Sequence, residues 1–296
     1  MVKIFLKNRR EESLLRFHPW VFSGAIAQIQ GSPAEGDVVG VYAADGSFLA
    51  IGHYQIGSIA VRVLSFEYEA LPADFWESSL RAALEVRVAA GLAIRPGGVL
   101  PEKCKKTGQA EINVIPGSTG NLDGPATNCY RLVHGEGDNL PGLIVDYYDG
   151  VCVMQAHSVG MFRTRKQICE ALRAVYGDAL KAVYDKSSGT APFKAGLDLV
   201  DGYLYKAEGF DDQSQVVLEN GHKFIVNWTE GQKTGFFLDQ RENRALVGKM
   251  AAGRRVLNLF CYTGGFSIYA LAGGALHVDS VDSSAKALSM HGESVT

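Results

Sequence analysis

The chain of 296 residues contains no run of the roughly 18 to 20 consecutive apolar residues that a membrane-crossing helix needs. Its start, MVKIFLKNRR, has no apolar stretch of the kind found in secretory signals. These absences exclude membrane and secreted classes and predict a cytoplasmic protein with no membrane partner. Cysteine is scarce: Cys104, Cys129, Cys152, Cys169 and Cys261 are odd in number, widely spaced and form no CxxC pair. Neither a disulfide framework nor a zinc site is expected, and no metal. Surplus positive charge is missing too. A net charge of -3 excludes a protein that grips nucleic acid by bulk electrostatics. Local basic groups remain, at Lys3, Lys7, Arg9, Arg10 and Arg16 and at Lys103, Lys105 and Lys106. No internal repeat or low-complexity tract interrupts the chain, and its 47% hydrophobic content suffices for two or three domains, each with its own core.

What is present is an ordered succession of patterns. From Val2 to about Phe66 short β-branched runs alternate with turn residues, and Ala44-Asp45-Gly46 divides VVGVYAADGSFLAIGHY into a hairpin. Phe75, Leu80, Leu84 and Val88 then recur near helical spacing, with Gly91 as a C-cap. The segment from Arg95 to about Asn128 is rich in Gly, Pro, Asn and Thr and reads as a long loop. Strands return in YRLVHGEGDNLPGLIVDYYDGVCVMQAHS, followed by one helical pattern over MFRTRKQICEALRAVYG and a strand in LKAVYDKS. A second hairpin has its turn at Glu219-Asn220-Gly221, and GQKTGFFLDQRENRALVGKMAAG begins as a loop and becomes a helix.

The last segment carries chemistry. VLNLF is a strand, CYTGG a glycine-bearing turn, FSIYALAGG a helix and HVDSVD a second strand, which is the opening βαβ unit of a doubly wound parallel sheet. In such a unit glycines after the first strand let the backbone approach a ligand, and an acidic residue closing the second strand accepts ribose hydroxyls. Gly264 and Gly265 supply the first feature and Asp282 the second. An adenosine-containing cofactor fits. The turn reads T-G-G-F-S-I without the third glycine of a dinucleotide fingerprint, which disfavours a pyrophosphate and hence NAD. Phe260, Tyr262 and Phe266 suit a methionine-bearing nucleoside, although aromatics beside a sheet are also ordinary core.

The strings RLVHGEGDNLPGLIVDYYDG, GQKTGFFLDQRENR and VLNLFCYTGGFSIYALAGGALHVDSVDSSAKAL closely resemble the bacterial large-subunit ribosomal RNA cytosine-C5 methyltransferase family, and RREESLLRFHPWVFSGAI resembles the start of that family's PUA domain. The resemblance implies an α/β protein with a PUA-like RNA-binding β-barrel over 1–72, a central α+β domain over 73–190, and over 191–296 the first part of a Rossmann-like class I methyltransferase domain. It implies S-adenosyl-L-methionine as cofactor and ribosomal RNA as partner. Carried over residue by residue, the cofactor site comprises Lys233, Thr234, Phe236, Gln240 and Arg241 from KTGFFLDQR, with Asn258, Phe260, Tyr262, Thr263, Gly264, Gly265 and Asp282 from the βαβ unit. Arg9, Arg10, Arg16, His18 and Trp20, basic residues interleaved with aromatics, form the expected RNA surface.

Cytosine C5 becomes nucleophilic only after a thiolate adds at C6. Cys261 sits in the cofactor turn rather than across from it and reads as a packing residue, so no catalytic residue is assigned. Only two strands of the expected methyltransferase sheet precede Thr296, and the family's Asp-Pro-Pro motif and nucleophilic cysteine have no counterpart. The expectation is therefore an incomplete, inactive methyltransferase whose exposed strand edge leaves the third domain poorly ordered, aggregation-prone or rescued by pairing into a homodimer. A non-catalytic RNA-binding module is the alternative.

Overall fold

The computed structural model describes residues 1–93, 127–192, 196–211, 215–285 and 287–289. Lys103, Lys105, Lys106, Cys104 and most of the expected 95–128 loop lie outside the described residues.

The N-terminal module is a six-stranded sheet in the order β2 (Trp20–Phe22), β6 (Ile59–Ser65), β5 (Phe48–Tyr54), β4 (Val38–Tyr42), β1 (Val2–Leu6) and β3 (Ile26–Gln30). Only β1 and β4 run parallel. Strand alternation sends Ile4, Leu6, Val39, Val41, Val61 and Val63 into one core. The expected hairpin turn joins β4 to β5, with Gly46 at φ +90° and the Asp45 carboxylate accepting the Ser47 amide at 2.9 Å.

After the short α1 (Glu12–Leu15) within the module, helix α2 (Phe75–Ala89) leads out of it and buries Phe75, Leu80, Ala83 and Leu84, near the spacing that the sequence predicts. It packs beside α4 (Arg165–Tyr176) on one face of a central sheet. That sheet has the order β11 (Gly202–Lys206), β10 (Ala182–Asp185), β9 (Val151–Ala156), β8 (Leu143–Tyr148) and β7 (Cys129–His134). Two expectations change here. The single helix expected over 161–177 is two, α3 (Val159–Arg163) and α4, because Thr164 leaves helical geometry while its hydroxyl donates to the Gly160 carbonyl at 2.9 Å. The central layer also runs past residue 190, since β11 pairs antiparallel with β10 and completes the sheet.

The sheet's other face is covered by the C-terminal region. Cys129, Tyr148, Val151, Val153 and Tyr184 pack against Val217, Phe224, Val226, Trp228, Phe236 and Tyr269. The hairpin β12 (Gln215–Glu219) to β13 (His222–Val226) turns through Asn220 at φ +49° and Gly221 at φ +80°, the left-handed pair that a two-residue hairpin requires. Helix α5 (Arg241–Met250) follows, and β14 (Arg255–Leu259), α6 (Gly265–Ala272) and β15 (His277–Val281) form a βαβ unit with parallel strands. No helix among the described residues is long and apolar enough to cross a membrane.

The N-terminal PUA-like module, termed the barrel after the expected fold, meets the central layer at His53 on β5. This side chain is 2% exposed, both ring nitrogens lack a hydrogen-bond partner among the described residues, and the ring stacks on Trp76. It rests on Gly160, where any Cβ would collide with the imidazole. Burial, with Arg62 adding repulsion, depresses the His53 pKa to about 4. The unfolded chain takes up this proton near pH 6.5 and the folded chain only near pH 4. The contribution to stability is therefore complete above about pH 6.5 and falls as pH drops through that window, by on the order of 3 kcal/mol. Thermal unfolding between about pH 7 and pH 4.5 should show a smaller loss of Tm for His53→Leu than for the parent. Parallel curves would remove this role from His53.

Candidate cofactor and RNA sites

Three of the five residues from Phe260 to Gly264 are left-handed: Phe260 (φ +56°), Tyr262 (φ +51°) and Gly264 (φ +74°). Each non-glycine residue held there costs about 1–3 kcal/mol, so the surroundings must enforce the turn. Asp282, just past β15, does so. Its Oδ2 accepts the Tyr262 amide and its Oδ1 the Ser284 amide, both at 2.8 Å. These bonds hold its carboxyl below the usual carboxylate range. The Cys261 amide donates to the Val281 carbonyl at 3.1 Å, and the Gly264 amide to the Cys261 carbonyl at 2.8 Å. Each Asp282 oxygen keeps a lone pair for a ligand hydroxyl. Phe260 is 91% exposed at the tip, Thr263 is buried beneath it, and Asn258 donates to Ser267 Oγ at 2.8 Å. At the start of α6, a Cβ on Gly265 would come within 3.0 Å of Arg244 Cδ.

Tyr262 links this turn to the GQKTG loop. Its hydroxyl accepts the Gln232 amide at 3.0 Å, and its ring meets Phe237 edge-on at 5.4 Å. Lys233 is exposed, its Nζ 3.6 Å from Asp239 and over the Phe237 ring. Half-buried Gln240 donates to Asp239 at 3.0 Å. Asn258, Phe260, Tyr262, Thr263, Gly264, Gly265, Asp282, Lys233 and Gln240 thus gather along one turn and the loop bonded to it.

The side chains of Thr234, Phe236 and Arg241 do not line that surface. Buried Thr234 donates to Asp146 Oδ2 at 2.6 Å and meets Tyr148 Oη at 2.9 Å. Phe236 packs on Phe224 in the core, 4.9 Å between centroids. Arg241 donates to the Cys129 carbonyl at 2.6 Å and faces Glu219. Glu219 and Arg244, wholly buried partners of this network, escape sequence reading because a charged residue at a hairpin turn or in a helical pattern is ordinarily solvated.

On the barrel, Arg9, Arg10, Arg16 and His18 line one depression of about 550 Å³ together with Phe22. Trp20 stands beside it. Its ring meets His18 at 5.6 Å, while its Nε1 donates to Glu136 at 2.9 Å and ties the barrel to the central layer. Burial pushes all four described cysteines above the ordinary thiol range, Cys129 to about 12 and Cys169 to about 11, with Asp282 adding to the rise at Cys261. None is an activated thiolate.

These features define two domain classes. Residues 4–66 match a PUA-like domain, and residues 201–293 match S-adenosylmethionine-dependent methyltransferases. The cofactor expected from the sequence agrees with the second match. Over 289 residues and 96% of its length, the chain is 40% identical to ribosomal RNA large subunit methyltransferase I of Aeromonas hydrophila, covering 64% of that protein. It is 38% identical to the protein of the same name from Pseudoalteromonas translucida, again over 96% of this chain and 64% of the relative. The chain thus spans a little under two-thirds of the length of these relatives. A solved structure of a Streptococcus mutans protein described as a SAM-dependent methyltransferase superposes with a TM-score of 0.72 at 23% identity, over 99% of this chain and 66% of that one. A second, of a protein described as a methyltransferase complexed with SAH, gives 0.74 at 23% identity over the same shares. Both share the fold.

Glu219 offers the direct test of what holds the site together. Glu219→Gln removes the charge that Arg241 and Arg244 face, leaving two guanidiniums buried without a counter-ion. A loss of about 3–5 kcal/mol is expected in urea unfolding. A change below about 1 kcal/mol would mean that the network is not what positions α5.

Proposed function

We propose that the chain holds S-adenosyl-L-methionine on the turn between β14 and α6 and ribosomal RNA on its barrel, as part of an enzyme that methylates C5 of a cytosine in large-subunit ribosomal RNA. The observation that carries this reading is the strained turn fastened to Asp282. Strain of that kind persists where a ligand benefits from it, and the donors present suit an adenosine-containing group. Gly264 and Gly265 leave room for close backbone approach, Asp282 offers a carboxylate to a ribose, and Phe260 and Tyr262 present aromatic faces. When bound, the cofactor supplies a methyl group on a sulfonium sulfur. The protein's part is to orient that group from the turn and, with Lys233 on the facing loop, to bound the approach to it.

The ribosomal substrate is supported by the relatives' names, and the cytosine-C5 assignment by the sequence resemblance. C5 methylation requires a thiolate to add at C6 and later to leave as the C5 proton is removed. The described cysteines are held as thiols, which favours a second reading in which this 296-residue chain binds RNA and cofactor without turning over.

Calorimetry with S-adenosylhomocysteine tests the site. Asp282→Asn, which keeps an oxygen acceptor for the Tyr262 amide, should weaken binding at least tenfold, because charge-assisted hydrogen bonds are worth about 1.5–3 kcal/mol each. Equal affinity with unchanged unfolding would take the ribose away from Asp282. Incubated with labelled S-adenosylmethionine and undermodified ribosomal RNA, the chain should transfer no methyl group. Transfer abolished by Cys261→Ala would make Cys261 the nucleophile after all.

A further inference from the structure

The central sheet carries a second concave surface that the cofactor turn and the barrel depression do not include. Beyond the edge of the β12–β13 cover, Arg131 on β7, Ile144 on β8, Gln155 on β9 and, past the ends of β9 and β10, His157, Lys186 and Thr190 surround a depression of about 580 Å³ that Lys233 closes on one side. From these walls we propose that the depression is a binding site for the sugar–phosphate backbone of a single-stranded RNA segment next to the target nucleotide. This rests on the RNA-methyltransferase reading above.

Charge is the first argument. Arg131, Lys186 and Lys233 face the depression and Asp201 is its one lining carboxylate. The Lys186 ammonium is held by the carbonyls of Trp228 and Gly231, which fixes its position and neutralises no charge. One of its three N–H donors stays available. Arg131 gives Nε and Nη2 to Asp146 at 2.8 and 3.0 Å and faces His134 Nδ1 with Nη1, so two of its five donors remain. Gln155 and His157 make no side-chain hydrogen bond among the described residues. Fixed cations with spare donors are what a phosphate oxygen requires.

Placement is the second argument. On one side, Glu136, in the turn directly after β7, accepts from Trp20 Nε1 and so ties the N-terminal sheet to the strand that carries Arg131. On the other, Lys233 lies over Phe237, whose ring meets Tyr262 in the cofactor turn. A strand held on the barrel and reaching that turn passes over this depression, and the Phe237–Tyr262 pair offers a ring face to an unstacked base.

The test measures fluorescence anisotropy of a short labelled single-stranded RNA against the 296-residue chain across salt concentrations. The double variant Gln155→Glu with His157→Glu should bind RNA about tenfold more weakly and lower the slope of log K against log salt by about one. Gln155→Lys should shift affinity the other way, so a misfolded variant cannot mimic both results. Affinity for S-adenosylhomocysteine should stay at the parental value throughout. Parental RNA affinity in the double variant, while Arg9→Glu with Arg10→Glu loses it, would overturn the depression and leave the RNA reading standing. No RNA binding by the parent would overturn both. Displacement of RNA by poly-glutamate at equal concentration would overturn the proposal in favour of an acidic protein partner.

Discussion

A single carboxylate at the end of β12 fixes how the C-terminal region sits on the central sheet. Glu219 is fully buried and accepts Arg244 through Nε at 2.8 Å and Nη2 at 2.7 Å, with Tyr269 Oη at 3.1 Å and Arg241 Nε at 3.5 Å. These donors come from α5 and α6, and Arg241 continues to the Cys129 carbonyl on β7. One acceptor thus sets the distances among four elements. A buried ion pair adds little net stability over an apolar substitute, whereas a half-removed one is costly. Its consequence is specificity of arrangement: α5 docks in the register that brings both guanidiniums to the carboxylate, and α6 in the register that brings the Tyr269 hydroxyl to it. The glycines follow from this. Gly265 lacks a side chain where Arg244 passes, and Gly248 on α5 lies against the Tyr269 carbonyl of α6, closer than a side chain would allow.

Asp146 does the same for the loop that faces the turn between β14 and α6. It is wholly buried on β8, paired with Arg131 and accepting from Thr234, whose hydroxyl also meets Tyr148. Thr234 is thereby pinned to the sheet while its neighbour Lys233, at φ +50°, points outward. Position along this loop divides the labour, with Gln232 and Lys233 exposed and Thr234, Gly235 and Phe236 buried. Residues facing inward lock the loop, and residues facing outward are presented to solvent beside Tyr262. The Asp146–Arg131 pair also sets the guanidinium at the wall of the central depression, so one buried carboxylate positions both the loop and a cation.

Local signals were legible in proportion to how local their causes are. The two hairpin turns follow from Asp45-Gly46 and Asn220-Gly221, where left-handed backbone selects the residue types. The βαβ unit and the apolar face of α2 follow from periodicity. Strand β11 gave no such signal, because all but its last residue are half-buried and neither face of GYLYK is cleanly apolar. The break at Thr164 carries no glycine or proline, only a hydroxyl competing for a carbonyl. Within the site, residue types located the turn on which glycine, aromatic and carboxylate side chains lie together. They could not distinguish Arg241, turned into the core, from Lys233, turned out of it, since that difference depends on Glu219 more than twenty residues before Arg241.

The division between buried and presented groups explains how a strained turn survives in a protein whose net stability is small. Two left-handed non-glycine residues separated by one position cost a few kcal/mol if nothing opposes them. The opposing bonds all come from elements already fixed elsewhere: the amides bound by Asp282 at the end of β15, the Val281 carbonyl, and the Gln232 amide on a loop anchored through Thr234. The turn is therefore held from both sides by structure whose geometry the two buried carboxylates determine. Phe260 can then stand exposed without collapsing onto the sheet, because the backbone beneath it has no freedom to fold the ring inward. Preorganisation of this kind places its cost in folding rather than in binding, so that a ligand touching the turn meets backbone already in place.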